Sequence, residues 1–127
     1  MDSILTSIKK LLGIDEDYEH FDADIIMHIN TSLFRLRTIG VGPLVDGIEG
    51  NDDFDPKPFN ITDKTQVWSE LVGTRNDLES IKTYIYLKVK LVFDPPQTSF
   101  VIESYNKQLA ELEWLINEQS GGDLDDA

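Results

Sequence analysis

Residues 81–96, IKTYIYLKVKLVFDPP, are the longest apolar run in the chain, and how they are read decides the fold. Ile85, Leu87, Val89, Leu91 and Phe93 alternate with their neighbours, which suits a half-buried strand. Length and punctuation favour a helix instead. Asn76 followed by Glu79 is spaced as a capping box, in which the Asn oxygen accepts from an N-terminal backbone N–H and the Glu reaches back. From that cap, Leu78, Ile81, Ile85, Val89 and Val92 recur at intervals of three and four, with Tyr84, Leu87 and Leu91 on an adjoining stripe. Lys82, Lys88 and Lys90 point elsewhere, and their methylene stems can lie on apolar surface while the ammonium groups reach water. Pro95 and Pro96 end the run, because the residue before a proline avoids helical backbone and proline lacks an N–H. A helix apolar nearly all round is a central one, so the rest of the chain is expected to pack on it.

On the N-terminal side, Asp2 or Ser3 can cap a short helix whose apolar face is Ile4, Leu5, Ile8, Leu11 and Leu12, with Lys9 and Lys10 on the opposite face and Gly13 closing it. The acidic stretch Asp15 to His20 is a solvated connector. Asp22 is placed to cap a second helix, in which Ile26, Ile29, Leu33 and Leu36 keep the helical spacing until Gly40, with Arg35 and Arg37 complementing its C-terminal dipole. A third, short helix opens at Thr62 or Asp63, where Asp63 and Gln66 have capping-box spacing, and turns Val67, Trp68 and Leu71 inward before Gly73. Beyond the prolines, Thr98 or Ser99 starts the last helix. Its seam is Ile102, Tyr105, Leu109, Leu112 and Ile116, with Val101 and Leu115 beside it and Trp114 off it, as a flank of the core or an intersubunit contact.

These elements predict an all-α fold: a small four- to five-helix bundle over residues 1–117, followed by a flexible, acidic tail at 118–127. Between the second and third helices, residues 41–61 form a long loop rich in Gly and Pro, with a short strand or extended anchor near residues 59–61. Five acidic residues, Asp46, Glu49, Asp52, Asp53 and Asp55, share the loop region with Val45, Ile48, Phe54 and Phe59. Such a mixture commonly orders on a partner. Val45, Ile48, Phe54, Phe59, Ile61, Trp114 and the tail's Leu124 are therefore the candidate partner contacts, and the five carboxylates are candidates for facing a channel.

With 24 acidic against 11 basic residues the formal net charge is −13, which opposes direct binding to a phosphate backbone. The chain has no cysteine, which excludes disulfides, thiolate zinc sites and cysteine nucleophiles. No apolar run nears the roughly 20 residues that span a bilayer, and the N-terminus lacks a small-residue cleavage site, so a soluble, unsecreted protein without membrane contact is expected. His20 and His28 stand eight apart, whereas helical zinc pairs stand near four. Asn51, Asp53 and Asp55 match alternate positions of a calcium loop, but Pro56 replaces its turn glycine and Thr62 its closing glutamate. Glycines 40, 42, 47 and 50 are not followed by a Lys and Ser/Thr at a helix start, and no nucleophile or acid–base pair has a meaningful spacing. The residues themselves suggest no enzyme, metal or cofactor.

Three blocks, ILTSIKKLLGI (4–14), IIMHINTSLFRLRTIGVGP (25–43) and IKTYIYLKVKLVFDPPQTSFVIESYNKQLAELEW (81–114), together closely resemble the head-tail connector, or adaptor, proteins of long-tailed phages and prophages of Gram-positive bacteria. The lysine-spotted apolar helix, the FDPP stop and the ELEW ending carry most of the specificity. The resemblance implies a structural protein of the virion neck, without catalytic residues or cofactors, assembled in the host cytoplasm at the head-tail interface. It implies a homo-oligomeric ring below the portal protein that extends the DNA channel after packaging and docks a head-completion (stopper) or tail protein, while DNA passes without specific binding. The long loop, Val41 to Ile61, would reach neighbouring components, and Asn117 to Ala127 would engage the portal. The loop is longer and more acidic than the family's common form. The alternative is an acidic helical binding module, such as a DNA mimic that occupies a basic protein groove.

Overall fold

The computed structural model describes residues 2–43 and 57–121. They form five helices: α1 (Ile4–Leu11), α2 (Asp22–Thr38), α3 (Trp68–Val72), α4 (Leu78–Phe93) and α5 (Ser99–Gln119). No strand forms among the described residues; the one β-type pairing there is an isolated antiparallel bridge between Ser3 and Val67. The all-α bundle expected from the apolar spacing is what the chain builds.

The run at 81–96 is indeed the central helix. In α4, Ile81, Tyr84, Ile85, Leu87 and Val89 are buried, and α4 has its most extensive packing against α2 and then α5. Chain direction follows from two contacts at opposite ends. Phe21, just before α2, meets Phe93 at the end of α4 edge-on, ring centroids 5.3 Å apart. At the other end, Arg75, just before α4, donates to the carbonyls of Gly40 and Ile116 at the ends of α2 and α5. Thus α4 runs antiparallel to both neighbours, in a bundle about 25 Å long for the 17 residues of α2. The short α1 lies across α2 and α4, adding Ile4, Leu5 and Ile8 to the core. Trp68 of α3 is wholly buried, as expected of a core residue, and its indole N–H donates to Ser7 Oγ at 2.9 Å.

Helix termini account for several departures from expectation. Ser3 caps α1 as predicted, accepting from the Thr6 N–H, and Thr98 caps α5 by accepting from Val101. The cap of α4 is Asp77, not Asn76, and it makes no side-chain cap bond because both its oxygens are held by Arg75. Phe21 rather than Asp22 precedes α2, leaving the Asp22 carboxylate free to pair with Lys9. Asp63 and Gln66 close a turn instead of opening a helix: Gln66 Oε1 accepts from the Thr62 and Asp63 N–H groups, and α3 starts only at Trp68, with Glu70 reaching back to the Val67 N–H.

Burial departs from the periodic pattern in several places, and Leu11, assigned to the apolar face of α1, is half exposed at its end. Lys9 is buried, its ammonium ion-paired with Asp22 at 2.8 Å and hydrogen-bonded to the Glu16 and Tyr18 carbonyls at 3.0 and 2.7 Å, whereas helical spacing put it on the polar face. Val92, the last member of the α4 stripe, is exposed, while Phe93 beside it packs on Phe21. On α5 only Leu109, Ile116 and Asn117 are buried, and Leu115 is exposed, since the helix packs chiefly on α4 and flanks the bundle.

Candidate functional site

One end of the bundle brings together the root of the long loop and the end of α5. It begins where α2 stops. Gly40 takes a positive φ of 103°, and the Val41 N–H turns back to the Leu36 carbonyl at 2.9 Å, which buries Val41 and directs the chain outward through Gly42 and Pro43. The chain returns at Lys57, whose N–H donates to the Pro43 carbonyl at 2.8 Å, so the loop 44–56 leaves and re-enters through a closed neck.

After the neck the chain is pinned at once. Asn30 of α2 uses both ends of its amide on Ile61, accepting from its N–H at 2.7 Å and donating to its carbonyl at 2.9 Å. The Ile61 side chain is buried in the core, so residues 59–61 are the extended anchor rather than the strand. Neighbouring Phe59 is half-buried against the same core.

Three helix ends are tied together here by Arg75. Its Nε and Nη2 grip the two Asp77 oxygens at 2.9 and 2.7 Å; Nη1 donates to the Gly40 carbonyl and to Ser120 Oγ, and Nη2 also to the Ile116 carbonyl. Each N–H of the guanidinium fork is thereby engaged, with α2, α4 and α5 all represented. Asn117 adds a bond from its amide to the Ile39 carbonyl. Gly40 and Ser120 lie so close that a Cβ on the glycine would overlap that of the serine. The described chain then ends at Gly121, at the same end of the bundle as Pro43 and Lys57. Beside this root lies a cavity of about 590 Å³ that includes Gly42, Pro43, Lys57, Val72, Thr74 and Ser120.

The sequence completes the electrostatics. Residues 44–56 contribute five carboxylates and residues 122–127 three more, with no basic residue in either. Much of the chain's excess negative charge therefore belongs to the two segments whose described neighbours, Pro43, Lys57 and Ser120, line one cavity at this end.

Of the sequence-derived candidates, Val45, Asp46, Ile48, Glu49, Asp52, Asp53, Phe54, Asp55 and Leu124 lie outside the described residues. Ile61 is occupied by the chain's own core, Phe59 is partly so, and Trp114 stands nearly half exposed on α5. The sequence had not singled out Arg75, Asn30 or Asn117. An Arg two residues before an Asp, between a glycine and a helix start, was the available signal for the first, while the two asparagines gave none because their partners lie 31 and 78 positions away. Among the described residues no group of three or more His, Asp or Glu is arranged to hold a metal ion, and no helix is long and apolar enough to cross a membrane.

A sequence model described as phage connector protein matches residues 4–56 and 53–123. No curated protein and no solved structure matches the chain.

Proposed function

The chain belongs to the phage connector protein family, and on that premise we propose that it is a structural part of the virion neck that forms a homo-oligomeric ring below the portal. In this role it extends the DNA channel after packaging and offers a docking surface to the head-completion protein or the tail. The blocks quoted above favour a long-tailed phage or prophage of a Gram-positive host, with assembly in the host cytoplasm. The observation that carries the proposal is the polar construction of the bundle. Its loop neck and its C-terminal exit are tied to one another by Arg75, so both segments suited to gripping neighbours act from the same end.

The charge supports the channel role. A basic bore would bind phosphates through counterion release and retard the DNA at each contact, while an acidic one repels it. Asp46, Glu49, Asp52, Asp53 and Asp55 are the carboxylates assigned to that surface, with Val45, Ile48, Phe54, Phe59, Trp114 and Leu124 as contacts to neighbours. Ile61 serves this surface by anchoring the chain just after the loop.

The test is to mix the chain with portal assemblies and image the product by cryo-electron microscopy, alongside the virion neck. A ring of this chain seated on the portal is expected. Absence of association, together with tight binding to a basic DNA-binding protein, would replace the proposal with an acidic module that mimics DNA.

A further inference from the structure

A second cavity, distinct from the one at the loop root, opens between α2 and α4. It measures about 260 Å³ and is lined by His28, Thr31, Ser32, Arg35, Lys88 and Val92. Its character is opposite to that of the chain as a whole: two permanent cations and an imidazole converge in a protein of net charge −13. The two hydroxyls already donate within α2, Thr31 to the Met27 carbonyl and Ser32 to that of His28, so the donors left to greet a ligand are the nitrogen groups. Arg35 is engaged through all three nitrogens, Nε and Nη2 on Glu113 Oε1 and Nη1 on Thr38 Oγ1, with one N–H of each terminal nitrogen left over. Lys88 is not so held. Its ammonium stands 5.7 Å from the Tyr84 ring centroid, and among the described residues no carboxylate lies within ion-pair distance of it. Val92, exposed on the same wall, adds an apolar contact.

We propose that this cavity receives the acidic C-terminal tail of a second copy of the chain, with Lys88 and Arg35 meeting its carboxylates and Val92 meeting Leu124. The tail, GDLDDA at 122–127, places three aspartates around one leucine, which complements a cationic cavity with one apolar wall. Reach favours a neighbour's tail over the chain's own. Glu113 lies beside Arg35, and Gly121 is eight residues further on, about 12 Å along the axis and away from the cavity. Six residues span about 20 Å when fully extended. Leu124, three residues past Gly121, would reach only about 10 Å back, short of the Arg35 level and of Val92 beyond it. This inference rests on the homo-oligomer proposed above and gives residues 122–127 to a second copy, where the resemblance implies the portal.

The test titrates a fluorescent peptide of residues 117–127 into the full-length chain at low salt and follows anisotropy and the backbone amide resonances around Lys88. Saturable binding is expected, weakened about tenfold by Lys88→Glu and by added salt. Regained binding is expected when the Lys88→Glu chain meets a peptide carrying Asp125→Lys and Asp126→Lys. Val92→Asp, whose site is already exposed, should weaken binding without lowering the melting temperature, and Lys88→Gln serves if Lys88→Glu melts early. Absence of binding, or binding indifferent to both Lys88 variants, overturns the assignment, as would preference for an acidic segment of the portal over the tail. The titration needs neither portal nor ring, so its failure leaves the connector role standing. Loss of the ring on the portal with the peptide still bound would do the reverse.

Discussion

Lys9 is the residue whose role is least visible from its position in the sequence. It sits in a row with Lys10 on a short amphipathic helix, yet one is exposed and pairs with Asp2 while the other is buried with three oxygen partners. Removing a buried partner strands the groups it served, so Lys9→Ala should lower stability by about 3 kcal/mol, whereas Lys10→Ala should change it by less than about 0.5 kcal/mol. Urea unfolding of the two variants measures the contrast. A second residue-level node joins three helices: Glu113 accepts from Arg35 through one oxygen and from the Tyr84 hydroxyl, at 2.8 Å, through the other. Partial burial pushes the Glu113 pKa up, but the hydrogen bonds from Arg35 and Tyr84 and the charges of Arg35 and Lys88 outweigh it, and the net shift is below the ordinary 4.5. Burial, followed by the hydrogen bond to Glu113 and that carboxylate's charge, raises the Tyr84 pKa. Because the folded state holds the Glu113 carboxylate ionised, its contribution is complete above about pH 4.5 and is lost as pH falls through the lower folded value. Arg35 is half exposed and screened, so Glu113→Gln should cost only about 1 kcal/mol at pH 7. That difference from the native chain should shrink below pH 4 in denaturant titrations at stepped pH.

At the scale of the element, α4 illustrates how a helical stripe can be right in period and wrong in extent. Val89 and Val92 belong to one run by spacing, but the first is fully buried and the second largely exposed. Val89→Asp should abolish cooperative folding, because an unpaired buried carboxylate costs several kcal/mol, comparable with the stability of a small domain. Val92→Asp should melt within about 3 °C of the native protein by circular dichroism. Helix type and approximate bounds were legible because apolar period, proline stops and glycine closures are local. The caps were less so. Asn76 had good capping chemistry, but the bidentate grip of Arg75 on Asp77 set where α4 begins, and that grip is shaped by helix ends far away in sequence.

For the whole molecule, the bundle and its appendages divide the work. The loop neck closes on itself between Pro43 and Lys57, and the segment beyond it is anchored by Asn30. Deleting Asp46 to Asp55 should therefore leave the thermal transition within about 5 °C of the native one and the helical signal unchanged, while impairing ring or virion assembly. Unimpaired assembly of intact virions by that variant would remove the loop from the functional account. The family itself was also legible, since the three blocks quoted for the resemblance fall within the residues matched by the phage connector sequence model.

By itself the sequence determined the helical class, the central place of residues 81–93, the buried Trp68 and the acidity of the loop and tail, because each follows from neighbouring residues or from composition. Only the tertiary structure decided that Lys9 goes inside, that Val92 and Leu115 stay outside, and that the root of the loop and the end of α5 meet at one end. Those outcomes depend on which helix ends meet across the bundle, and a guanidinium that satisfies carbonyls 35 and 41 positions away leaves no periodic trace in the chain.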